Sequence, residues 1–186
     1  AMQRAAELRH ALANDLRIAL LEEQFELYFQ PIVSLETGKV IKAEALIRWH
    51  HPVRGEVAPS LFIPIAEDTG LISEIGAWVF AKAIETAARW NADRTSRDVV
   101  PVSISINKSP REFMNASIRE AWMDQLLASG MPISSIIVEI TEGLLLDNRP
   151  EVTGKLRALR DMGVRLALDD FGTGYSAMSY LQRYEI

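Results

Sequence analysis

The sequence predicts an α/β fold: a TIM-like (β/α)8 barrel with an antiparallel first strand, of which about five strands lie within these 186 residues. Three observations predict it. Short apolar runs of strand type alternate with amphipathic helical stretches. Polar and acidic residues recur at the C-terminal ends of those runs, the end of a barrel that carries its active site. The first two strands are joined by the short turn Glu36-Thr37-Gly38-Lys39, which makes a hairpin of them.

Composition bounds the function. Hydrophobic content of 48% and charged content of 24% are those of an ordinary globular chain with a core of its own. A net charge of −5 disfavours a broad nucleic-acid surface, so no nucleic-acid polymer is expected as a partner. Discrete anionic ligands stay open through local Arg, Lys or metal. The absence of Cys excludes disulfides and thiolate metal sites and fits a reducing compartment. No apolar run approaches the roughly 20 residues of a membrane helix. A cytoplasmic location is expected, with any membrane anchor in another domain.

Residues 3–23 form an amphipathic helix, with Leu8, Leu12, Leu16 and Leu20 recurring every four residues. It reads either as a cover for the bottom of the fold or as a connector from an upstream domain. The second reading sets residues 1–24 apart as an N-terminal linker helix and 25–186 as the main domain. Phe25–Val33 and Val40–Trp49 are the hairpin strands. In the second of them Ile41, Ala43, Ala45, Ile47 and Trp49 share an apolar face, and Lys42, Glu44 and Arg48 fall on the other. That suits a strand with helices outside and a polar barrel mouth inside.

His50–Ser60 is a loop rich in Pro and Gly, and His50 and His51 read as surface residues. Ser60 is expected to cap a helix through Glu67. A second helix runs from Ile72 to Trp90, with Ile75, Val79, Ala83, Ala87 and Trp90 on its buried face. Asn91–Asp98 is a polar loop. Val100–Asn107 is a strand with Ser103, Ser105 and Asn107 on its inner face. Ile118–Ser129 is a helix stopped by Gly130. In the strand Ser135–Thr141, Glu139 lies inside an apolar run, where a carboxylate is costly unless paired or metal-bound. Asn148–Met162 is a helix, Val164–Asp169 a strand, and Ser176 begins a last helix.

The strand from Val164 ends in two adjacent carboxylates, Asp169 and Asp170, before a turn that Gly172 and Gly174 permit. Crowded acids repel unless protonated or neutralised by a cation. With no Cys, a hard divalent ion is the natural partner. Taken alone, the pair reads equally as a helix N-cap beside a spare surface acid. Glu44, Asn107 and Glu139 at other strand ends shift that balance, because all five are oxygen ligands of the kind Mg²⁺ or Mn²⁺ takes. A two-metal site of that kind can clamp a phosphodiester.

EALIRW at Glu44–Trp49 is accompanied by QPIV at Gln30–Val33, FIPIAEDTGLI at Phe62–Ile72 and SINKS around Asn107. EITE at Glu139–Glu142 and DDFGTGYS at Asp169–Ser176 follow. With these motifs in this order, the chain from about Phe25 onward resembles the EAL family of cyclic-di-GMP phosphodiesterases. The resemblance implies metal-dependent hydrolysis of cyclic di-GMP to linear pGpG in bacterial second-messenger signalling. It implies Glu44, Asn107, Glu139 and Asp169 as ligands of a first Mg²⁺ or Mn²⁺, and Asp169 and Asp170 as ligands of a second. Glu44, Asp169 and Asp170 would then carry the catalysis. Arg48 matches the arginine that holds a substrate phosphate, Gln30 lies on the guanine-binding side, and Glu142 matches a glutamate that steadies the loop after Asp170.

An upstream sensor or GGDEF domain and a homodimer are the implied protein partners. Family domains have about the length of a whole barrel, near 250 residues. A Lys near the attacking water, a further ligand Glu and a last glutamate motif are therefore expected beyond Ile186. A chain ending there is expected to be inactive alone and to expose strand edges that recruit another chain. Two other readings are a degenerate receptor that binds cyclic di-GMP without cutting it, and a non-catalytic scaffold. All five implied ligands are intact, which favours the enzyme.

Overall fold

The first hairpin follows from its alternation and its turn. In the computed structural model, which describes residues 2–92, 101–114, 124–145 and 149–169, β1 (Phe25–Val33) and β2 (Val40–His51) pair antiparallel. Their register sets Phe25 opposite Trp49 and Gln30 opposite Glu44. In the turn, Ser34 N–H donates to Lys39 O and Gly38 N–H to Ser34 O, and Gly38 takes a φ of 66° that a side chain would resist.

β3 (Gly55–Val57) pairs with the end of β2 inside a segment that the sequence reads as loop. Three residues among Pro and Gly carry too little alternation to be seen. The same segment corrects the reading of His51, which is 9% exposed rather than a surface residue. Its Nδ1 accepts the backbone N–H groups of Val53 and Arg54 at 3.1 and 3.2 Å, so Nε2 carries the proton and donates to Asp15 Oδ2 at 3.1 Å. His51 is thus the clasp of the β2–β3 turn. His50 stays exposed, as expected.

Beyond the hairpin every pairing is parallel. β2 pairs with β4 (Ser103–Asn107), β4 with β5 (Ile136–Thr141), and β5 with β6 (Arg165–Asp169). The order is β1-β2-β4-β5-β6, with β3 off that path. This is the predicted α/β architecture with a reversed first strand; among the described residues β1 and β6 are its edges.

The helices cover the outward face. α1 (Met2–Leu21) buries Leu12, Leu16 and Ala19 in the common core, while Leu8 is exposed. Its Asp15 holds His51, and Arg9 pairs with Asp68 of α2 (Pro59–Thr69). Ser60 is not the cap of α2: Ala58 is, without a side-chain bond, and Pro59 opens the helix. Pro is suited there because the first N–H has no helical partner anyway. Gly70 ends α2 in the left-handed conformation, φ 79°.

α3 (Ile72–Asn91) buries Ile75, Val79, Ala83 and Ala87 as expected. Trp90 remains 37% exposed, packed edge-on against Phe29. After β5 come the short α4 (Glu142–Leu145) and α5 (Pro150–Asp161), whose inner face is Val152, Leu156 and Leu159. Of the helix expected at 118–129, residues 124–128 are helical and 118–123 lie outside the described residues. The last helix from Ser176 and residues 93–98 of the polar loop also lie outside them.

Outward residues of the strands (Ala45, Trp49, Ile104, Ile106, Ile136, Val138, Ile140) form one core with these helices. Each fully buried isoleucine there contributes about 1.5–3 kcal/mol. Trp49 is wholly buried among Phe25, Phe62 and His51, and its Nε1 donates to Gln24 Oε1 at 3.1 Å. No helix among the described residues is long and apolar enough to cross a membrane.

Candidate active site

With the apolar side chains outward, period-two alternation sends Lys42, Glu44 and Arg48 of β2 to the opposite face. Ser103, Ser105 and Asn107 of β4, Glu139 and Thr141 of β5, and Asp169 of β6 face the same way. Glu44 is level with Ser105, Asn107 with Glu139, and Thr141 with Asp169. Glu44, Asn107, Glu139 and Asp169 therefore climb by two residues from β2 to β4 and by two more from β5 to β6. A tilted barrel strand advances about one residue per neighbour. The staircase is thus close to what brings four positions to one height at a barrel mouth.

The contacts are specific. Asn107 Nδ2 donates to Glu44 Oε1 at 2.8 Å. Lys42 Nζ donates to Glu139 Oε1 at 2.7 Å, with the two side chains 21% and 12% exposed. Arg48 donates through Nη1 to Ile47 O, lies 3.6 Å from Glu56, and stands over the Tyr28 ring at 5.3 Å. Gln30, directly across from Glu44, points to the same face and is exposed. Glu142 is buried at the start of α4, immediately after β5. Asp170 and the FGTGYS segment lie outside the described residues.

The structure so brings Gln30, Glu44, Arg48, Asn107, Glu139 and Asp169 to one end of one face. It does not draw the acids into a tight cluster: among the described residues no three His, Cys, Asp or Glu side chains are grouped closely enough to hold a metal ion. Glu44 is engaged by an amide and Glu139 by an ammonium. What fits a hard divalent cation is the donor set itself, carboxylates plus an amide oxygen on neighbouring strand ends with no soft atom among them. Ser105 Oγ, level with Glu44, is fully buried and finds no hydrogen-bond partner among the described residues.

Behind Asn107 sits a pair that the sequence reading passed over. Lys108 Nζ bonds Glu112 Oε1, with the two side chains 1% and 3% exposed. Ser109 N–H donates to the second oxygen of Glu112 at 3.0 Å, and Ser109 Oγ donates to Glu67 at 2.7 Å. Burial pushes the Lys108 ammonium below its ordinary range and the Glu112 carboxyl above its own, outweighing their mutual attraction. Gly76 of α3 makes room for them: a Cβ there would overlap the Glu112 carboxylate and stand 2.9 Å from Lys108 Nζ. A cavity of about 290 Å³ joins this pair to the strand ends, where Arg48, Asn107, Glu139 and Asp169 line it. The available signal for the pair was its four-residue spacing. The signal for Lys42 was its place on the face of Glu44.

A family model described as the EAL domain matches residues 13–186. The oxygen sensor protein DosP of Escherichia coli K12 is 38% identical over 181 residues, covering 97% of this chain and 22% of DosP. The structure of the PaMucR phosphodiesterase in complex with c-di-GMP superposes with a TM-score of 0.84 at 37% identity, covering 93% of this chain and 68% of that one. The EAL enzyme Bd1971 in its cAMP- and cyclic-di-GMP-bound form gives 0.84 at 31% identity, covering 95% and 48%. The chain spans between a fifth and a quarter of the length of curated relatives such as DosP.

Proposed function

This chain belongs to the EAL-domain family, and from that premise we propose that it hydrolyses cyclic di-GMP to linear pGpG, with Mg²⁺ or Mn²⁺ held at the ends of β2, β4, β5 and β6. One observation carries the reading: Glu44, Asn107, Glu139 and Asp169 lie on one face of successive parallel-paired strands, Glu44 in the part of β2 that pairs with β4 and Asn107 and Asp169 at strand ends, on the same face as Arg48. These four, with Asp170, would hold the ions. When bound, the ions supply charge neutralisation and Lewis-acid polarisation of the phosphodiester.

The chain's own residues do the rest. Asn107 gives its Nδ2 hydrogen to Glu44, which fixes that carboxylate and leaves the amide oxygen for a cation. Arg48, steadied over Tyr28, presents N–H groups suited to a phosphate. Gln30 lies across from Glu44 on the side a guanine base would occupy. Asp169 is the exposed last residue of β6 and would orient the attacking water. Residues 25–186 would carry this chemistry, and residues 1–24 would couple it to an upstream sensor or GGDEF domain. Leu12 and Leu16 of that helix are buried in the common core, so it also covers the fold, and a movement of the helix would reach the sheet through them.

A second reading, binding without hydrolysis, is favoured by one contact, the ammonium of Lys42 on Glu139. Incubation of the full-length protein with cyclic di-GMP and Mn²⁺ separates the two. Release of pGpG establishes the hydrolase. Tight binding without product establishes the receptor, and neither result would remove both.

Arg48→Ala should weaken cyclic-di-GMP affinity about ten- to a hundredfold, the value of charge-assisted bonds to a phosphate. Metal affinity should stay unchanged, because Arg48 offers a cation no ligand atom. Calorimetry with each ligand checks both halves, and unchanged nucleotide affinity would remove the phosphate role.

A further inference from the structure

Lys42 is level with Ser103, and Glu139 is level with Asn107. To meet Glu139, the lysine stem must climb across the inner face of β4, past Ser105. A larger residue at 105 would block that crossing. Holding an extended lysine in one path costs rotamer freedom, so something at its far end must offset the cost. That something is the Glu139 carboxylate, on the inner face of β5 beside the buried Ile137, with a side chain only 12% exposed. Such a group is costly without a partner.

Among the described residues, the other cations on these strands that face this sheet surface are engaged elsewhere. Arg165 donates to Ser103 Oγ and Ser134 O, and Arg48 to Ile47 O. The other polar groups that the described strands turn to this face, Gln30, Glu44, Ser103, Ser105, Asn107, Thr141 and Asp169 among them, bring no positive charge.

We infer that Lys42 is the resident counter-cation of Glu139 in the metal-free domain, so that a divalent ion reaches Glu139 by displacing its ammonium. This rests on the reading of Glu139 as a metal ligand. Metal loading is then an exchange of one cation for another at the same oxygen. Lys42 sets the metal concentration at which the site fills, and keeps the empty site from leaving a bare carboxylate.

The test uses full-length protein stripped of metal and free of nucleotide, with Lys42→Met as the neutral isostere. Lys42→Gln is the second variant, still able to donate to Glu139 if the methionine form folds poorly. Mn²⁺ affinity is read by calorimetry, and melting temperature is read with and without Mn²⁺. Both variants should bind Mn²⁺ about ten- to a hundredfold more tightly, the range over which neighbours of a metal ligand tune affinity. Without metal they should melt lower than the wild type, and Mn²⁺ should raise their melting temperature by more. Wild-type binding with unchanged or weaker binding in the variants would overturn the inference while leaving Glu139 a metal ligand. No Mn²⁺ binding in any of the three would overturn the metal reading of Glu139, and the inference with it.

Discussion

Lys108→Ala is expected to destabilise the domain by about 3–5 kcal/mol, the cost of leaving one member of a buried ion pair without its partner. Glu112 would then be a carboxylate shut away from water beneath α3, keeping Ser109 N–H as a donor but losing its cation. The directions of both titrations agree with this. Glu112 is raised, so the stability it contributes is present below the ordinary carboxylate range and is lost as pH rises. Lys108 is lowered, so its contribution is present above the ordinary lysine range and is lost as pH falls. On both groups burial works against the charged form, and the partner works for it. Replacing both at once, Lys108→Met with Glu112→Leu, should be neutral or stabilising by up to about 4 kcal/mol. Urea denaturation of the wild type, Lys108→Met, Glu112→Leu and the double variant decides it. Single losses that merely add in the double variant would show that the two residues act separately.

Glu44→Gln should lower the rate of cyclic-di-GMP hydrolysis by about 10²–10³-fold or more, the scale on which one electrostatic stabiliser of a developing charge acts. The substitution keeps the shape of the side chain, and its amide oxygen can still accept from Asn107 Nδ2, so β2 and β4 should hold their register. Only the negative charge is lost. Melting temperature should therefore move little while pGpG release collapses. An equally fast variant would remove Glu44 from the reaction, and a large fall in melting temperature would show a structural role instead.

From the sequence alone, the hairpin, the parallel strands and the acids at their ends were legible. Each is written in local alternation: Ile41 to Trp49 place Glu44 and Arg48 on one face with no knowledge of any neighbour. The family motifs are runs of adjacent residues and need no fold to be seen. What the sequence could not determine are contacts whose partners are fixed by register and packing. Lys42 meets Glu139 across 97 residues because β4 lies between their strands and carries a serine where the lysine passes. Gly76 spares Glu112 because α3 crosses behind the end of β4. His51 is buried because α1 brings Asp15 against the turn that its imidazole already clasps. β3 is a strand because β2 offers it an edge, since three residues hold no periodicity of their own. Alternation determines which way a side chain points; only the pairing of strands and the seating of helices decides what it meets there.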